Sequence, residues 1–263
     1  MIEPHIKKEI MAEIAKIESD FGVKVLYACE SGSRAWGFPS SDSDYDVRFI
    51  YAHPTDWYLS VNLEKKRDVI ERPIHDDLDI SGWDLRKALQ LYYKSNPPLL
   101  EWLGSPIVYQ EKFTVAKKMR DLAPSFYNPI SCMYHYLHMA QGNYRSYLKD
   151  ETVWIKKYFY VLRPILAINW LEQGRGVVPT EFGILVDQII TDPDLRHQIG
   201  RLIAAKRAGQ ELDKGVRIPE ISNFIDQEIT RLTDKKFEMK LEKKTMEQLN
   251  HLFRQSLAEI WGS

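Results

Sequence analysis

The stretch Glu30-Ser31-Gly32-Ser33-Arg34-Ala35-Trp36-Gly37-Phe38, followed by Ser41-Asp42-Ser43-Asp44-Tyr45-Asp46-Val47-Arg48-Phe49-Ile50, decides how this chain is read. Before it, the apolar run Val23–Cys29 predicts a buried strand that leaves into a Gly-Ser turn. After it, Asp46–Tyr51 predicts a second strand. Side chains alternate along a strand, so Asp44 and Asp46 project to the same side. Two carboxylates on one face, beside a turn small enough to admit a phosphate, match what a divalent metal and a nucleotide triphosphate require. Magnesium takes oxygen ligands, commonly one or two carboxylates together with substrate phosphates. Gly32 allows close backbone approach, and the turn amides with the Ser33 hydroxyl are expected to bind terminal phosphates. An ordinary strand-to-helix turn is the alternative for these two residues, and the neighbouring aspartates weigh against it. Arg34 is either a forked donor to phosphate or a structural partner of Glu30 or of an aspartate in the site.

Composition bounds the rest. The 263 residues suffice for one large domain or two modest ones. Apolar content of 44% and charged content of 28% are those of an ordinary globular chain. The net charge of −1 conceals a split: residues 1–112 carry 14 Lys/Arg against 19 Asp/Glu, and residues 113–263 carry 22 against 18. An acidic first half suits carboxylates that hold cations, and a basic second half suits a polyanion. Uneven surface charge explains the same split equally well. Cys29 and Cys132 are far apart and lack metal-site spacing, which fits a reducing cytoplasm rather than a disulfide framework. No apolar run approaches the length of a membrane span, and no basic-then-apolar leader is read, so a soluble chain is expected.

Periodicity supplies the elements. Ile6, Ile10, Ile14 and Ile17 predict an amphipathic helix over residues 3–20. Residues 54–73 are poorly patterned, with a short strand expected around Asp68–Ile70, and Asp77–Ile80 predicts a third strand. Ser81 reads as a helix cap with Asp84 as its partner, opening a helix over Gly82–Ser95. Leu99–Leu103 predicts a short helix and Ile107–Tyr109 a brief strand. Beyond that the pattern is helical: Phe113–Leu122, Pro129–Lys149, Val153–Gln173 with a kink at Pro164, Glu181–Ile190, Pro193–Gln210, Pro219–Leu232 and Thr245–Trp261.

Asp79 stands between Leu78 and Ile80, and a carboxylate among apolar neighbours on a short strand needs a reason. Asp77 shares its face and, with Asp76, competes for the same role. Asp42 falls before the strand and suits a turn-shaping bond. Trp83 reads as packing, while Trp36 either stacks on a base or packs. His135 and His138 lack a nearby acidic partner and read as structural or substrate-facing. Tyr144, Arg145 and Tyr147 serve interhelical packing or nucleic acid equally well.

The Gly-Ser pair, spacer and Asp-x-Asp resemble the DNA polymerase β-like nucleotidyltransferase superfamily. The run Gly-Ser-Arg-Ala-x-Gly, Asp79-Ile80-Ser81-Gly82-Trp83-Asp84-Leu85-Arg86-Lys87-Ala88-Leu89 and Asn96-Pro97-Pro98-Leu99-Leu100-Glu101-Trp102-Leu103 resemble nucleotidyltransferases associated with bacterial and phage RNA-repair pathways. The likeness is strongest over residues 20–110 and looser through 135–182. It implies an α+β chain: a small mixed β-sheet nucleotidyltransferase domain with flanking helices over 1–112, then an all-helical domain over 113–263 that completes the nucleotide or acceptor site. It implies Asp44, Asp46 and Asp79 as catalytic metal ligands for magnesium or manganese, with Asp79 also activating the nucleophile. It implies a nucleotide site of Gly32, Ser33 and Arg34, joined by Lys156 and Arg163. Those two share a helix face, and a solvated stripe is the alternative. The expected reaction moves a nucleoside monophosphate from an NTP to a hydroxyl, an RNA 3′ end, with release of pyrophosphate, and RNA-repair proteins are the expected partners. Transfer to a protein or small-molecule hydroxyl is one rival. A nucleotide-binding module without turnover is another, and the complete set of aspartates argues against it.

Overall fold

The computed structural model describes residues 2–75, 77–210, 212–239 and 244–262. In chain order its first elements are α1 (Pro4–Phe21), β1 (Lys24–Glu30), α2 (Gly32–Ala35), β2 (Tyr45–Ala52), α3 (Thr55–Tyr58), β3 (Val69–Glu71), β4 (Leu78–Asp84), α4 (Leu85–Tyr93), α5 (Pro97–Leu103), β5 (Val108–Glu111) and α6 (Val115–Phe126). There follow α7 (Pro129–Tyr147), β6 (Thr152–Trp154), α8 (Lys157–Glu172), α9 (Phe182–Ile189), α10 (Pro193–Arg207), β7 (Lys214–Val216), α11 (Pro219–Leu232) and α12 (Met246–Trp261). The expected α+β class is what the chain forms.

Two compact units divide it. The first gathers residues up to 35, residues 44–126 and the C-terminal helix; the second gathers residues 36–43 and the stretch from 127 through α11. This differs from a single break after residue 112. In the first unit α6 packs under the sheet, where Val115, Ala116 and Met119 are fully buried and the Met119 carbonyl accepts from the Tyr92 hydroxyl at 2.6 Å. The last helix returns to the same unit, with Phe253 edge-on to Tyr58 at 5.0 Å and Glu259 accepting from Thr114. Residues 36–43 leave the first unit because Phe38 stacks on Phe159 at 4.4 Å and meets Phe182 edge-on. Helix spacing along the sequence contains none of these long-range contacts.

The first unit is a five-stranded mixed sheet, order β3-β4-β2-β1-β5, in which only β2 and β4 run parallel. Its core is what the sequence pattern predicts. Ile10, Ile14 and Ile17 of α1 are at most 1% exposed and lie on Val25, Val47, Phe49, Tyr51 and Ile80 of the sheet. Six of the seven β1 residues are buried, so this strand reads as a continuous apolar run rather than an alternation.

Two expected elements differ. Ser81, Gly82 and Trp83 continue β4 instead of opening a helix, because Ser81 and Trp83 pair with Arg48 and Ile50 of β2 and Gly82 lies flat over the Phe49 ring. A Cβ on Gly82 would stand 2.3 Å from that ring, so only glycine lets the strands close there. The helix starts later, at Leu85, capped by Asp84, whose carboxylate accepts from the Arg86 amide at 2.8 Å. Residues 152–154 form β6, paired antiparallel with β7, and the helix expected from Val153 begins only at Lys157.

In the second unit α7 and α8 pack together. The centre of α8, from Val161 to Ile168, is buried on every side, with Pro164 inside it as expected. A helix apolar all round is an interior helix.

Candidate active site

The site begins where β1 ends. Glu30 is fully buried there, its carboxylate accepting from the Asp46 amide at 2.8 Å and from the Tyr109 hydroxyl. The Ser31 amide returns a bond to the Asp46 carbonyl at 2.8 Å. Glu30 thereby ties the turn after β1 to the start of β2. Burial pushes its carboxyl up to about 7, against the lowering effect of the Tyr109 and Asp46 hydrogen bonds.

Gly32 follows with φ +57°, and a Cβ there would lie 2.0 Å from Oδ2 of Asp46. The Gly-Ser turn and the second aspartate of Asp-x-Asp are therefore in direct contact, and glycine is required both for the backbone angle and for the space. Arg34, on the one-turn helix α2, donates from Nε to the Asp44 carbonyl at 3.1 Å and lies over the Tyr45 ring at 3.7 Å.

Asp46 and Asp79 are cross-strand partners in the parallel β2–β4 register. Both are partly exposed, with 29% and 33% of their side-chain surface accessible. Asp44 is exposed and lies immediately before β2. Burial raises the Asp46 carboxyl above its ordinary range; Arg48 opposes the rise, and the charges of Asp79 and Asp44 add to it. Asp77 is exposed, with its carbonyl anchoring the Tyr45 amide at 2.7 Å, while Asp76 lies outside the described residues. Asp42 is also exposed, and a hydrogen bond with Ser40 lowers its carboxyl.

Arg48 is the residue that sequence reasoning missed. It donates from Nη2 to Asp46 Oδ1 at 3.1 Å and to Asp79 Oδ2 at 2.7 Å. The available signal is alternation: Asp46 and Arg48 fall on one face of a largely apolar strand, with Asp44 two residues earlier in the same spacing. Glu30 and Tyr109 were missed as supports for Asp46, although an acid closing an apolar strand was visible.

The nucleotide residues expected in the helical part sit in the second unit. Lys156 is exposed and precedes α8. Arg163 is 2% exposed, its guanidinium 4.8 Å from the Trp36 ring centre and its Nη2 near the carbonyls of Thr180 and Pro179. The two do not form an exposed basic stripe, because α8 is interior on the side that carries Arg163. Trp36 is edge-on to Tyr160 at 5.8 Å. Trp83 stacks on Trp102 at 3.9 Å, as its packing reading expects, and Tyr144 donates to Asp226 at 2.8 Å.

The model of the RNA repair pathway DNA polymerase beta family (RlaP) matches residues 6–255. The chain belongs to this family. It is 51% identical over 257 residues to the uncharacterized protein YcgL of Bacillus subtilis (strain 168), covering 97% of this chain and 98% of that one. A solved nucleotidyltransferase-like protein from Exiguobacterium sibiricum 255-15 covers 95% of this chain and 90% of its own, at a TM-score of 0.32 and 10% identity. Family membership makes the chain a polymerase β-like nucleotidyltransferase by kind. No helix among the described residues is long and apolar enough to cross a membrane.

Members of this superfamily work with a divalent metal. Among the described residues, no group of three or more His, Cys, Asp or Glu side chains stands ready to hold one. The two facing carboxylates are instead held by Arg48, and Asp44 precedes them in exposed backbone. The donor chemistry nonetheless fits a hard cation. All three groups offer carboxylate oxygen, Arg48 engages one oxygen each of Asp46 and Asp79, and a cation would offset both the burial that chiefly raises Asp46 and the lesser repulsion from Asp79 and Asp44.

Proposed function

We propose that this protein transfers a nucleoside monophosphate from an NTP to a hydroxyl, an RNA 3′ end, releasing pyrophosphate. One observation carries the reading: Asp46 touches the Gly32 turn and faces Asp79 across parallel strands, so a phosphate turn and an acidic pair share one place. In this reading the amides of the Gly32–Ser33 turn and the Ser33 hydroxyl receive the triphosphate, and Arg34 stands beside them. Asp44 and Asp46 would hold a magnesium or manganese ion, with Asp79 opposite; when bound, the ion neutralises phosphate charge and lowers the pKa of a coordinated hydroxyl. Asp79 orients the acceptor hydroxyl and takes its proton. Lys156, exposed in the second unit, remains available to an anion. Both cysteines are free thiols, in keeping with a cytoplasmic setting.

The test incubates the protein with each NTP labelled in its base, magnesium or manganese, and a mixed RNA pool. Label is expected in RNA. Label in the protein itself would move the acceptor to a protein hydroxyl, and label in neither would leave a nucleotide-binding module.

A further inference from the structure

Strand β2 carries an acid and a base on one face, at Asp46 and Arg48, with Asp44 two residues earlier, just before the strand. The Arg48 side chain is 18% exposed and held in place through both terminal nitrogens. Its Nη1 donates to the carbonyls of Val47 and Asp79, both at 3.0 Å, and its Nη2 donates to Asp46 Oδ1 at 3.1 Å and Asp79 Oδ2 at 2.7 Å. A guanidinium held by four acceptors is oriented by the strands themselves and is not a side chain that drifted onto an acid. Without it, two half-buried carboxylates on adjacent strands would face each other with only the more distant charge of Arg34 acting on Asp46, which is costly in a partly desolvated place.

The same contacts set a competition. A divalent cation would draw on the same Asp46 and Asp79 carboxylates, each of which Arg48 already engages through one oxygen, and two cations sharing so small a volume repel each other. We propose that Arg48 is a built-in counter-cation: it positions Asp46 and Asp79 before any metal arrives and keeps the affinity of the nucleotide-free site for divalent metal low. The inference rests on the metal reading above for its ligands. It makes Arg48 a positioning residue whose loss has an unusual sign, because removing a merely structural arginine loosens a site, whereas removing a competitor tightens it.

The experiment titrates manganese into the nucleotide-free protein and reads bound ion by electron paramagnetic resonance, with no transfer assayed. Arg48→Gln is expected to bind manganese about tenfold more tightly than wild type, the scale set by a unit charge a few ångströms away in a partly wet site. Arg48→Lys, which keeps a cation but loses the fork, is expected to fall between, and it serves if the glutamine variant does not fold. Adding Asp46→Asn to Arg48→Gln should cancel the gain and so locate the ion. Manganese binding equal to or weaker than wild type in the folded variants overturns the proposal, as does a gain that survives Asp46→Asn. A protein that transfers nothing in the labelling test can still give the expected titration, so the two readings fail separately.

Discussion

Two arginines withdrawn from solvent lie in opposite surroundings. In the sheet unit Arg48 meets two carboxylates and two carbonyls at the mouth of a glycine turn. In the helical unit Arg163 lies against the Trp36 ring in an aromatic interior, with its Nη2 near the carbonyls of Pro179 and Thr180. The first arrangement concentrates charge that a rigid fold would otherwise avoid, which is how sites that do chemistry are built. The second covers charge with a π-face and serves packing. Residue type alone does not separate them; the partners do.

The contrast breaks most visibly at Asp46. Asp46→Asn keeps the shape and removes the charge, so transfer should fall by more than the roughly 10–100-fold typical of residues that only orient a ligand. Unchanged melting with lost product formation is the expected pair of results. Gly32→Val comes next, because a side chain there collides with the Asp46 carboxylate as well as demanding a disfavoured φ. It should lose nearly all transfer, while Ser33→Ala forfeits one hydroxyl, about 0.5–1.5 kcal/mol. Steady-state kinetics of both variants check the ranking. Equal tolerance of the two would put the phosphates elsewhere.

Arg163 sharpens the other side. Arg163→Met is expected to lower stability by about 1–3 kcal/mol through carbonyls left without their donor, read by denaturant unfolding. KM for NTP should stay at its wild-type value, and a raised KM would return Arg163 to the nucleotide site. The smallest effect belongs to Asp84, away from both arginines. Burial pushes its carboxyl from 3.8 up to about 6, against the hydrogen bonds from Tyr58 and the Arg86 amide. The folded chain keeps this proton where the unfolded chain has released it. That contribution to stability is complete below about 3.8 and is lost as pH rises through about 6. Asp84→Asn, which preserves an acceptor for the cap, should flatten the pH dependence of melting across that window.

What was legible in the sequence follows the range of the interactions. The isoleucines of α1 and the apolar β1 announce themselves by local period, and Gly32, Asp44 and Asp46 by spacing within a few residues. The strand β4 was shortened because Ser81 and Asp84 imitate a capping box; the decision for a strand is made by Phe49, more than thirty positions away, under Gly82. The β6–β7 pair joins residues some sixty apart and leaves no local trace. Arg163 is expected beside Lys156 at the nucleotide because helical spacing says which residues share a side but not whether that side is interior, and the side that carries Arg163 is buried. Arg48 was within reach, two residues beyond Asp46, yet a base next to acids gains meaning only once β4 brings Asp79 alongside.

The facing of Asp46 and Asp79 across β2 and β4 is the centre of the account, and Asp77 is its built-in control, two residues earlier and exposed. The direct measurement compares Asp79→Asn with Asp77→Asn for NTP binding and for nucleotide transfer under the same metal. The account predicts that Asp79→Asn still binds NTP but does not transfer, while Asp77→Asn does both. An active Asp79→Asn beside an inactive Asp77→Asn would contradict it.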